Sequence, residues 1–435
     1  MKKLSTKEKR TQELLAADAA VSLASPLLEI SFPDELAVLF SVAAHPTESV
    51  LYLGLANGYV YAYRYKVVQG RPVVSLQLGT ETAECSVMWR TRRHKGSVRC
   101  LALDADGDKL YSIGTDSVLK VADSKTGKVL QKCVISEGAG ATKLVVTDKV
   151  VLVGMESGEV LVLSVGDLTQ RNKITRIHEG DAINDIFHFA KRSMYKFVSL
   201  GQTTLAYWDC NMDDTREREK IRMSDDQEDE ILCGAFVDDQ VGDTLVCGMG
   251  EGILTVWKPE KNDLEDQMSR VKVCKNDSID CIVPTLQDDN CVWCGCSDGK
   301  LYKVDAKRGK VVETRVHAIA DECSFLDLDC EYHVVSGSME SVKVWGEPLE
   351  EEQEDSGNSE NSDSFSDSSD SSDSSSEEFT GELTGLSREE LIAELDKDID
   401  VEPAETQEPK QKKQRRQKQG SSNNESHGIT KFEGL

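Results

Sequence analysis

The side chains most obviously able to bind a metal or react are the thiols of a short segment, Cys291-Val-Trp-Cys294-Gly-Cys296. A Cys-x-x-Cys pair can begin a zinc site, but a structural zinc site needs four ligands, usually with a second pair at a distance. No second pair with zinc-like spacing stands out in the sequence. The run also has the pattern of a buried strand, so small core residues are the better interpretation. We therefore expect no metal and no other cofactor.

A second group is a basic cluster that could contact RNA or a protein partner. Arginine and lysine could bind phosphates, and the tryptophan would offer a face for base stacking. An ordinary charged loop explains the same residues at least as well, so both interpretations remain open. The cluster precedes a strand pattern, which places part of it on a rim of the fold. Its members are Trp89, Arg90, Arg92, Arg93, Lys95 and Arg99.

Motifs of the common enzyme classes do not stand out. The sequence contains no P-loop, dinucleotide-binding fingerprint, zincin motif or nucleophile elbow. We therefore predict that the chain is not an enzyme, with no catalytic residues and no small-molecule substrate.

The elements that position these residues recur along the chain. A short apolar strand, a glycine, a turn and a second apolar strand occur seven times, with glycines separated by 60, 40, 47, 47, 47 and 42 residues. This period, with several short strands per unit, is typical of a β-propeller. We predict an all-β, seven-bladed propeller, with structural glycines that let neighbouring blades approach: Gly54, Gly114, Gly154, Gly201, Gly248, Gly295 and Gly337.

The ends of the repeat region predict how the ring closes. The repeat pattern of the last blade ends at Trp345, and the sequence between it and the acidic tail is too short for an outermost strand. The segment Leu27–Phe32 precedes the first full blade and alternates as a strand does. We predict that it pairs with the last blade as the closing strand.

The repeat resembles the WD-repeat family over residues 27–348. Only Trp208-Asp209 keeps the Trp-Asp dipeptide, and His94, His178 and His317 match the family's histidine. In that family a histidine, a Ser or Thr, an Asp and a Trp form a buried hydrogen-bonded network in each blade. The resemblance implies such a network in blade 2 for His94, Ser112 and Asp116, with Val121 replacing the Trp. We interpret this group as structural and not as a catalytic dyad.

Charge and composition limit the partners. The formal net charge is −27, and the thirteen cysteines fall mostly in strand patterns, which favours free thiols in a reducing compartment. An acidic body is a poor generic nucleic-acid binder and suits basic protein partners. Two long charged connections, 211–230 and 259–270, are solvated loops or docking arms. No apolar run reaches transmembrane length, so no membrane association is expected.

Four further segments flank the predicted propeller. Residues 1–26 form an N-terminal extension, 349–380 an acidic serine-rich disordered segment, 381–409 an acidic linker with a short helical motif, and 410–435 a basic tail with a C-terminal motif. The acidic segment is a spacer or a binder of basic proteins. It contains candidate phosphorylation sites at Ser366, Ser368, Ser369, Ser371 and Ser372. The basic run favours nuclear import over nucleic-acid binding, through Lys410, Lys412, Lys413, Arg415, Arg416 and Lys418.

This order of parts resembles the group formed by WD repeat-containing protein 55 and its fungal counterpart. The matching segments are His45-Pro-Thr-Glu48, Arg93–Arg99, the acidic tail, the basic run and the ending Gly428–Leu435. The resemblance implies a nucleolar protein that supports pre-rRNA processing and 60S assembly. We expect it to act as a scaffold, as a monomer within a larger complex, that binds pre-ribosomal particle proteins. Contact with ribosomal RNA stays open. A ubiquitin-ligase substrate receptor and a histone- or chromatin-binding propeller remain alternatives.

Overall fold

A computed structural model of the protein describes residues 24–33, 37–135, 140–213, 216, 218–275, 277–319 and 321–347. The chain divides into two units, residues 1–354 and 355–435, and every described residue belongs to the first. The predicted segments 349–380, 381–409 and 410–435, and residues 1–23 of the predicted extension, lie outside the described residues.

Strands dominate the described residues and form seven sheets, which confirms the predicted all-β, seven-bladed propeller. In chain order they are β1 (Pro26–Ser31), β2 (Leu39–Ala44), β3 (Val50–Leu55), β4 (Tyr59–Tyr65), β5 (Val74–Gln77), β6 (Cys85–Arg92), β7 (Val98–Leu103), β8 (Lys109–Gly114), β9 (Val118–Asp123), β10 (Val129–Val134), β11 (Ala141–Val146), β12 (Val150–Met155), β13 (Val160–Ser164), β14 (Gln170–Ile174), β15 (Asp185–His188), β16 (Lys196–Leu200), β17 (Leu205–Asp209), β18 (Arg222–Met223), β19 (Ile231–Phe236), β20 (Leu245–Met249), β21 (Ile253–Trp257), β22 (Ser269–Lys272), β23 (Ile279–Pro284), β24 (Cys291–Cys296), β25 (Lys300–Asp305), β26 (Lys310–Val316), β27 (Phe325–Leu328), β28 (Val334–Gly337) and β29 (Ser341–Trp345).

Each of the first six blades is a four-stranded antiparallel sheet. Blade 1 is β2-β3-β4-β6, and blades 2 to 6 take the strands from β7 to β26 in consecutive groups of four. The second strand of a blade is covered on both sides by neighbouring blades, and β3 and β12 are accordingly buried at every residue. A sheet that buries both faces only through its neighbours is stable only within the ring.

The seventh blade combines strands from both ends of the repeat region, as predicted. It contains β27, β28 and β29, and β1 pairs antiparallel with β29, with Leu28 opposite Val344 and Ile30 opposite Val342. The closing strand is therefore the one expected from the alternation of Leu27–Phe32.

The sequence did not predict a fifth strand in this blade. Strand β5 pairs in parallel with β1, with Leu28 opposite Val74 and Ile30 opposite Leu76. It lies in the long connection between β4 and β6 of blade 1, which accounts for the 60-residue interval between the first two repeat glycines. Blade 1 therefore extends across its neighbour and covers the closing strand.

The two long charged connections are only partly loops. The first contains the turn of 3-10 helix Arg218–Lys220 and β18, the fourth strand of blade 4. The second contains the short helix α1 (Pro259–Asn262) and runs into β22 of blade 5. Both connections are polar because each includes or leads into the outermost strand of a blade, and such a strand faces solvent on one side.

Antiparallel order gives the propeller two different faces. The connections between successive blades and the turns between second and third strands lie at one end, which we call the connecting face. The turns between first and second strands and between third and fourth strands lie at the other end, the opposite face. Any side chain in a loop can be assigned to one face by this rule.

The repeat glycines stand where backbone and neighbouring side chains approach closely. A Cβ at Gly54 would lie 2.7 Å from Val98 Cγ1 of the next blade, and one at Gly337 would lie 2.8 Å from Leu39 Cδ2. The corresponding distances to the nearest atom are 2.9 Å at Gly154, 2.7 Å at Gly248 and 2.5 Å at Gly295. At Gly114 and Gly201 the nearest atoms belong instead to the rings of His94 and His178.

Replacing Gly54 by valine should destabilise the propeller by about 1–3 kcal/mol, because the added carbons must displace Val98 from a packed interface. The urea midpoint of unfolding measures the effect. Gly166→Val is the matched control, since no atom lies within 4 Å of its Cβ position, and it should shift the free energy of unfolding by no more than about 0.5 kcal/mol. Equal midpoints for the two variants would refute the close-packing role.

Candidate interaction surfaces

One member of the predicted basic cluster, Arg93, is buried, and a second, Trp89, is partly buried. Arg93 is 4% exposed, its Nη2 donates to the carbonyl of Gly127 at 2.9 Å, and its guanidinium lies 5.4 Å from the centre of the Trp89 ring. Burial lowers the pKa of Arg93 to about 10. The Trp89 indole donates to the carbonyl of Ser124 at 2.8 Å and packs against Gly127. Both side chains join blade 1 to blade 2, and the burial of Arg93 keeps its guanidinium from a phosphate.

The other four residues are exposed but lie apart. Arg90 and Arg92 project from β6, the outermost strand of blade 1, opposite Tyr61 and Tyr59. Lys95 lies on the connecting face, where its backbone N–H donates to Asp116. Arg99 lies on β7, the innermost strand of blade 2. The cluster is contiguous in sequence but spreads from the rim to the centre of the propeller.

The histidine of blade 2 forms the network that the family resemblance implied. His94 Nδ1 lies 2.8 Å from Asp116 Oδ1 and His94 Nε2 lies 3.0 Å from Ser112 Oγ. Burial lowers the pKa of His94 to about 4, although Asp116 acts in the opposite direction. The ring is therefore neutral at physiological pH and donates from Nδ1 to the carboxylate.

Blades 4 and 7 contain related networks that end in a tryptophan. In blade 4, the Trp208 indole and His178 Nε2 meet at Ser199 Oγ, at 2.9 and 2.8 Å, and His178 Nδ1 lies 2.7 Å from Thr204 Oγ1. The indole donates to Ser199 Oγ, and both ring nitrogens of His178 have a hydroxyl partner.

Blade 7 uses the ring in the reverse orientation. His317 Nδ1 lies 2.7 Å from Ser336 Oγ, which also accepts from the Trp345 indole at 2.7 Å, and His317 Nε2 lies 3.1 Å from Ser341 Oγ. Both ring nitrogens of His317 therefore also have a hydroxyl partner. Burial lowers the pKa values of His178 and His317 to about 4.

The cysteines belong to the core of the blades. None of the thirteen forms a disulfide, and Cys291, Cys294 and Cys296 are all buried in β24. Burial raises the pKa of the Cys291 thiol to about 11. Within the described ranges no group of three or more His, Cys, Asp or Glu side chains is arranged to hold a metal ion.

The innermost strands of all seven blades surround a central cavity of about 260 Å³. Lys143 Nζ pairs with Asp185 Oδ1 at 2.7 Å across neighbouring blades, and the Arg99 guanidinium lies 5.7 Å from the centre of the Phe40 ring. On the far wall, Asp280 Oδ1 accepts from Ser278 Oγ at 2.6 Å, while Oδ2 is buried without a partner. Burial raises the pKa of Asp280. The cavity is polar and its charges are largely paired within the protein.

The connecting face is strongly acidic beside blade 5. The connection 224–230 contains five acidic residues and no lysine or arginine. Asp229 accepts from the backbone N–H of Glu230 and of Glu251, both at 2.8 Å, so part of this charge orders the loop. Asp225, Asp226, Glu228 and Glu230 are exposed, and of these Glu228 pairs with Arg270 Nη1 at 3.5 Å. A surface of this kind attracts lysine- and arginine-rich partners and repels phosphate.

Several predicted features cannot be placed. The five candidate phosphorylation serines, Ser366 to Ser372, and the six basic residues of the import signal, Lys410 to Lys418, lie outside the described residues. No helix in the part of the chain that the structure describes is long and apolar enough to cross a bilayer.

Several curated proteins that carry the name WD repeat-containing protein JIP5 are similar to this chain. The chain is 50% identical over 367 residues to WD repeat-containing protein JIP5 of Vanderwaltozyma polyspora, a match that covers 74% of this chain and 65%, just under two thirds, of that protein. It is 44% identical over 494 residues to the JIP5 protein of Eremothecium gossypii, covering 94% and 96% of the two chains. Identity to the Saccharomyces cerevisiae JIP5 protein is 52% over 324 residues, 70% of this chain and 66% of that one. No family model matches the sequence.

Proposed function

The chain belongs to the JIP5 family of WD repeat-containing proteins, and on that premise we propose that it is a non-catalytic scaffold of ribosome biogenesis. It supports pre-ribosomal RNA processing and assembly of the large (60S) subunit through protein–protein contacts on the propeller. WD-repeat propellers in general act as scaffolds, and radial repetition gives them broad binding faces with only short edges.

The acidic connecting face is the structural observation that carries this proposal. Five acidic residues without a base in one connection favour proteins rich in lysine and arginine, which is the composition needed to bind ribosomal RNA. The resemblance to WD repeat-containing protein 55, through His45–Glu48, Arg93–Arg99 and the order of the tail segments, supports the ribosomal assignment and a place in the nucleus and nucleolus.

Direct contact with RNA is the weaker part of the proposal. Within the basic cluster, Arg93 is buried between blades 1 and 2, which leaves Arg90, Arg92, Lys95 and Arg99 as the members exposed to a phosphate. These four residues lie at different radii of the propeller. We propose protein contacts as the main mode of binding, with the protein acting as a monomer within a larger complex.

Affinity purification of the full-length protein in high salt, with and without RNase, tests this function. We expect large-subunit assembly factors and ribosomal proteins to remain bound after RNase treatment, and depletion of the protein to lower the ratio of 60S to 40S subunits. Recovery of ligase adaptors would instead support a substrate receptor, although Asn211 occupies the position of the arginine in the Trp-Asp-x-Arg motif. Recovery of histones alone would support a chromatin-binding propeller.

A further inference from the structure

Three successive blades place one bulky apolar side chain each in the same turn on the opposite face. The turn between the first and second strands contains Val241 in blade 5, Leu286 in blade 6 and Tyr332 in blade 7. These side chains are 47%, 48% and 55% exposed. All three line one groove of about 410 Å³. Grouped apolar exposure of this kind marks interaction surfaces more often than scattered exposure does.

The equivalent turns of blades 1 to 3 provide an internal comparison. They read His45-Pro-Thr-Glu-Ser49, Asp104-Ala-Asp-Gly-Asp108 and Thr147-Asp-Lys149, with no large aliphatic or aromatic residue apart from the buried His45. The fold of the turn therefore does not require exposed apolar side chains. The equivalent turn of blade 4 also exposes one apolar side chain, Met194 (50%), which does not line the groove. Exposed apolar side chains in this turn are therefore confined to blades 4 to 7, and those of blades 5 to 7 share one groove.

Acidic residues surround the same groove. Its lining includes five aspartates and no lysine or arginine: Asp238, Asp239, Asp243, Asp288 and Asp289. Asp289 pairs with Lys303 Nζ at 2.8 Å. The other four form no ion pair with any described residue. The groove therefore combines exposed apolar side chains with a rim of aspartates that is only partly paired.

We infer that this groove binds a short protein segment that carries apolar residues flanked by lysine or arginine. The apolar side chains would cover Val241, Leu286 and Tyr332, and the basic residues would pair with the aspartates of the rim. RNA does not fit, because its phosphates would face the same carboxylates. A second copy docking by two-fold symmetry would bring two acidic rims together. The inference rests on the proposed function only for the source of the segment, a protein of the pre-ribosomal particle.

Site-specific photocrosslinking from the groove tests this inference. Full-length protein with p-benzoylphenylalanine at position 286 would be the only copy in the cell, and the crosslinked peptide would be sequenced by mass spectrometry. We expect one dominant peptide with apolar residues and several lysines or arginines. The same photoreactive residue at Ala105, in the equivalent turn of blade 2, is the matched control and should not give this product. Failure to crosslink, an acidic peptide, an RNA adduct, a peptide of this chain, or equal yield from position 105 would overturn the inference.

Charge reversal tests the contribution of the rim. Asp239→Lys with Asp243→Lys should reduce the crosslink from position 286 at least tenfold, whereas Asp106→Lys with Asp148→Lys, in turns of blades 2 and 3, should change it less than twofold. Thermal midpoints within about 2 °C of each other establish that both variants are folded. Equal crosslinking by the two variants would contradict an electrostatic role of the rim.

The same experiment separates this inference from the proposed function. A basic, apolar peptide from a protein outside the pre-ribosome would support the groove and argue against the ribosomal role. Co-purification with 60S precursors without any crosslink from position 286 would support the ribosomal role and overturn the groove.

Discussion

Removal of residues 1–33 should prevent the propeller from folding. The deleted segment contains β1, whose Leu28 and Ile30 are fully buried against β29 on one side and β5 on the other. Burial of Leu27, Leu28, Ile30 and Phe32 contributes about 2 kcal/mol for each side chain. The sum is comparable to the 5–15 kcal/mol that stabilises a typical folded domain. Loss of soluble protein, or of a cooperative thermal transition, is the expected observation.

A pair of point variants tests the same closure without deleting the chain. Ile30→Ala should lower the free energy of unfolding by about 2–5 kcal/mol, because it leaves a cavity between blades 7 and 1. Glu29→Ala is the matched control, because the Glu29 side chain faces the other way, is one third exposed and pairs with Lys343 Nζ at 3.3 Å. Its loss should lower the free energy of unfolding by no more than about 1 kcal/mol. Wild-type stability of the 34–435 fragment would show that the ring closes without β1.

The number of blades and the closing strand could be predicted because both leave local signals. A glycine before a tight turn is required where the next blade or the histidine of a network approaches, so each blade leaves a recognisable signal in the sequence. Strand β5 has no such signal, since residues 74–77 are half exposed and pair in parallel with a strand more than forty residues earlier. Its position depends on a long-range contact that no local pattern encodes.

The surface was harder to predict than the ring. Arg93 lies in a basic run, which suggests a solvated side chain, yet it is buried because blade 2 supplies the Gly127 carbonyl beside Trp89. The groove residues Val241, Leu286 and Tyr332 are more than forty positions apart and meet only because each occupies the same turn of successive blades. Aligning the loops of the seven repeats by position in the blade would have been the one sequence signal for this groove.

The neutral histidines make the stability of the propeller depend on pH. His94, His178 and His317 have pKa values of about 4 in the folded protein, against about 6.5 when exposed. Between these values the unfolded chain binds more protons than the folded one. The stability that depends on neutral histidines is therefore fully present above about pH 6.5 and is lost as the pH falls towards 4. At pH 5 the lowered pKa of each histidine should reduce the free energy of unfolding by about 2 kcal/mol, or by about 6 kcal/mol for the three together. Asp327 acts in the opposite direction, since burial raises its pKa to about 6, but it recovers only about 1 kcal/mol.

We therefore expect the urea midpoint of unfolding to fall steeply between pH 6.5 and pH 5. The double variant His178→Gln, His317→Gln should be less stable than the wild type at pH 7.5, because glutamine cannot satisfy both hydroxyl groups in each network. On the figures above it should lose about 1 kcal/mol on acidification to pH 5, against about 5 kcal/mol for the wild type, since only His94 of the three would remain and Asp327 still acts in the opposite direction. His188→Gln is the control, because His188 lies on β15 outside the networks and contacts the Ser193 carbonyl at 3.1 Å. If the double variant and the control lose stability equally over this range, the acid sensitivity arises elsewhere and the networks serve only to position the blades.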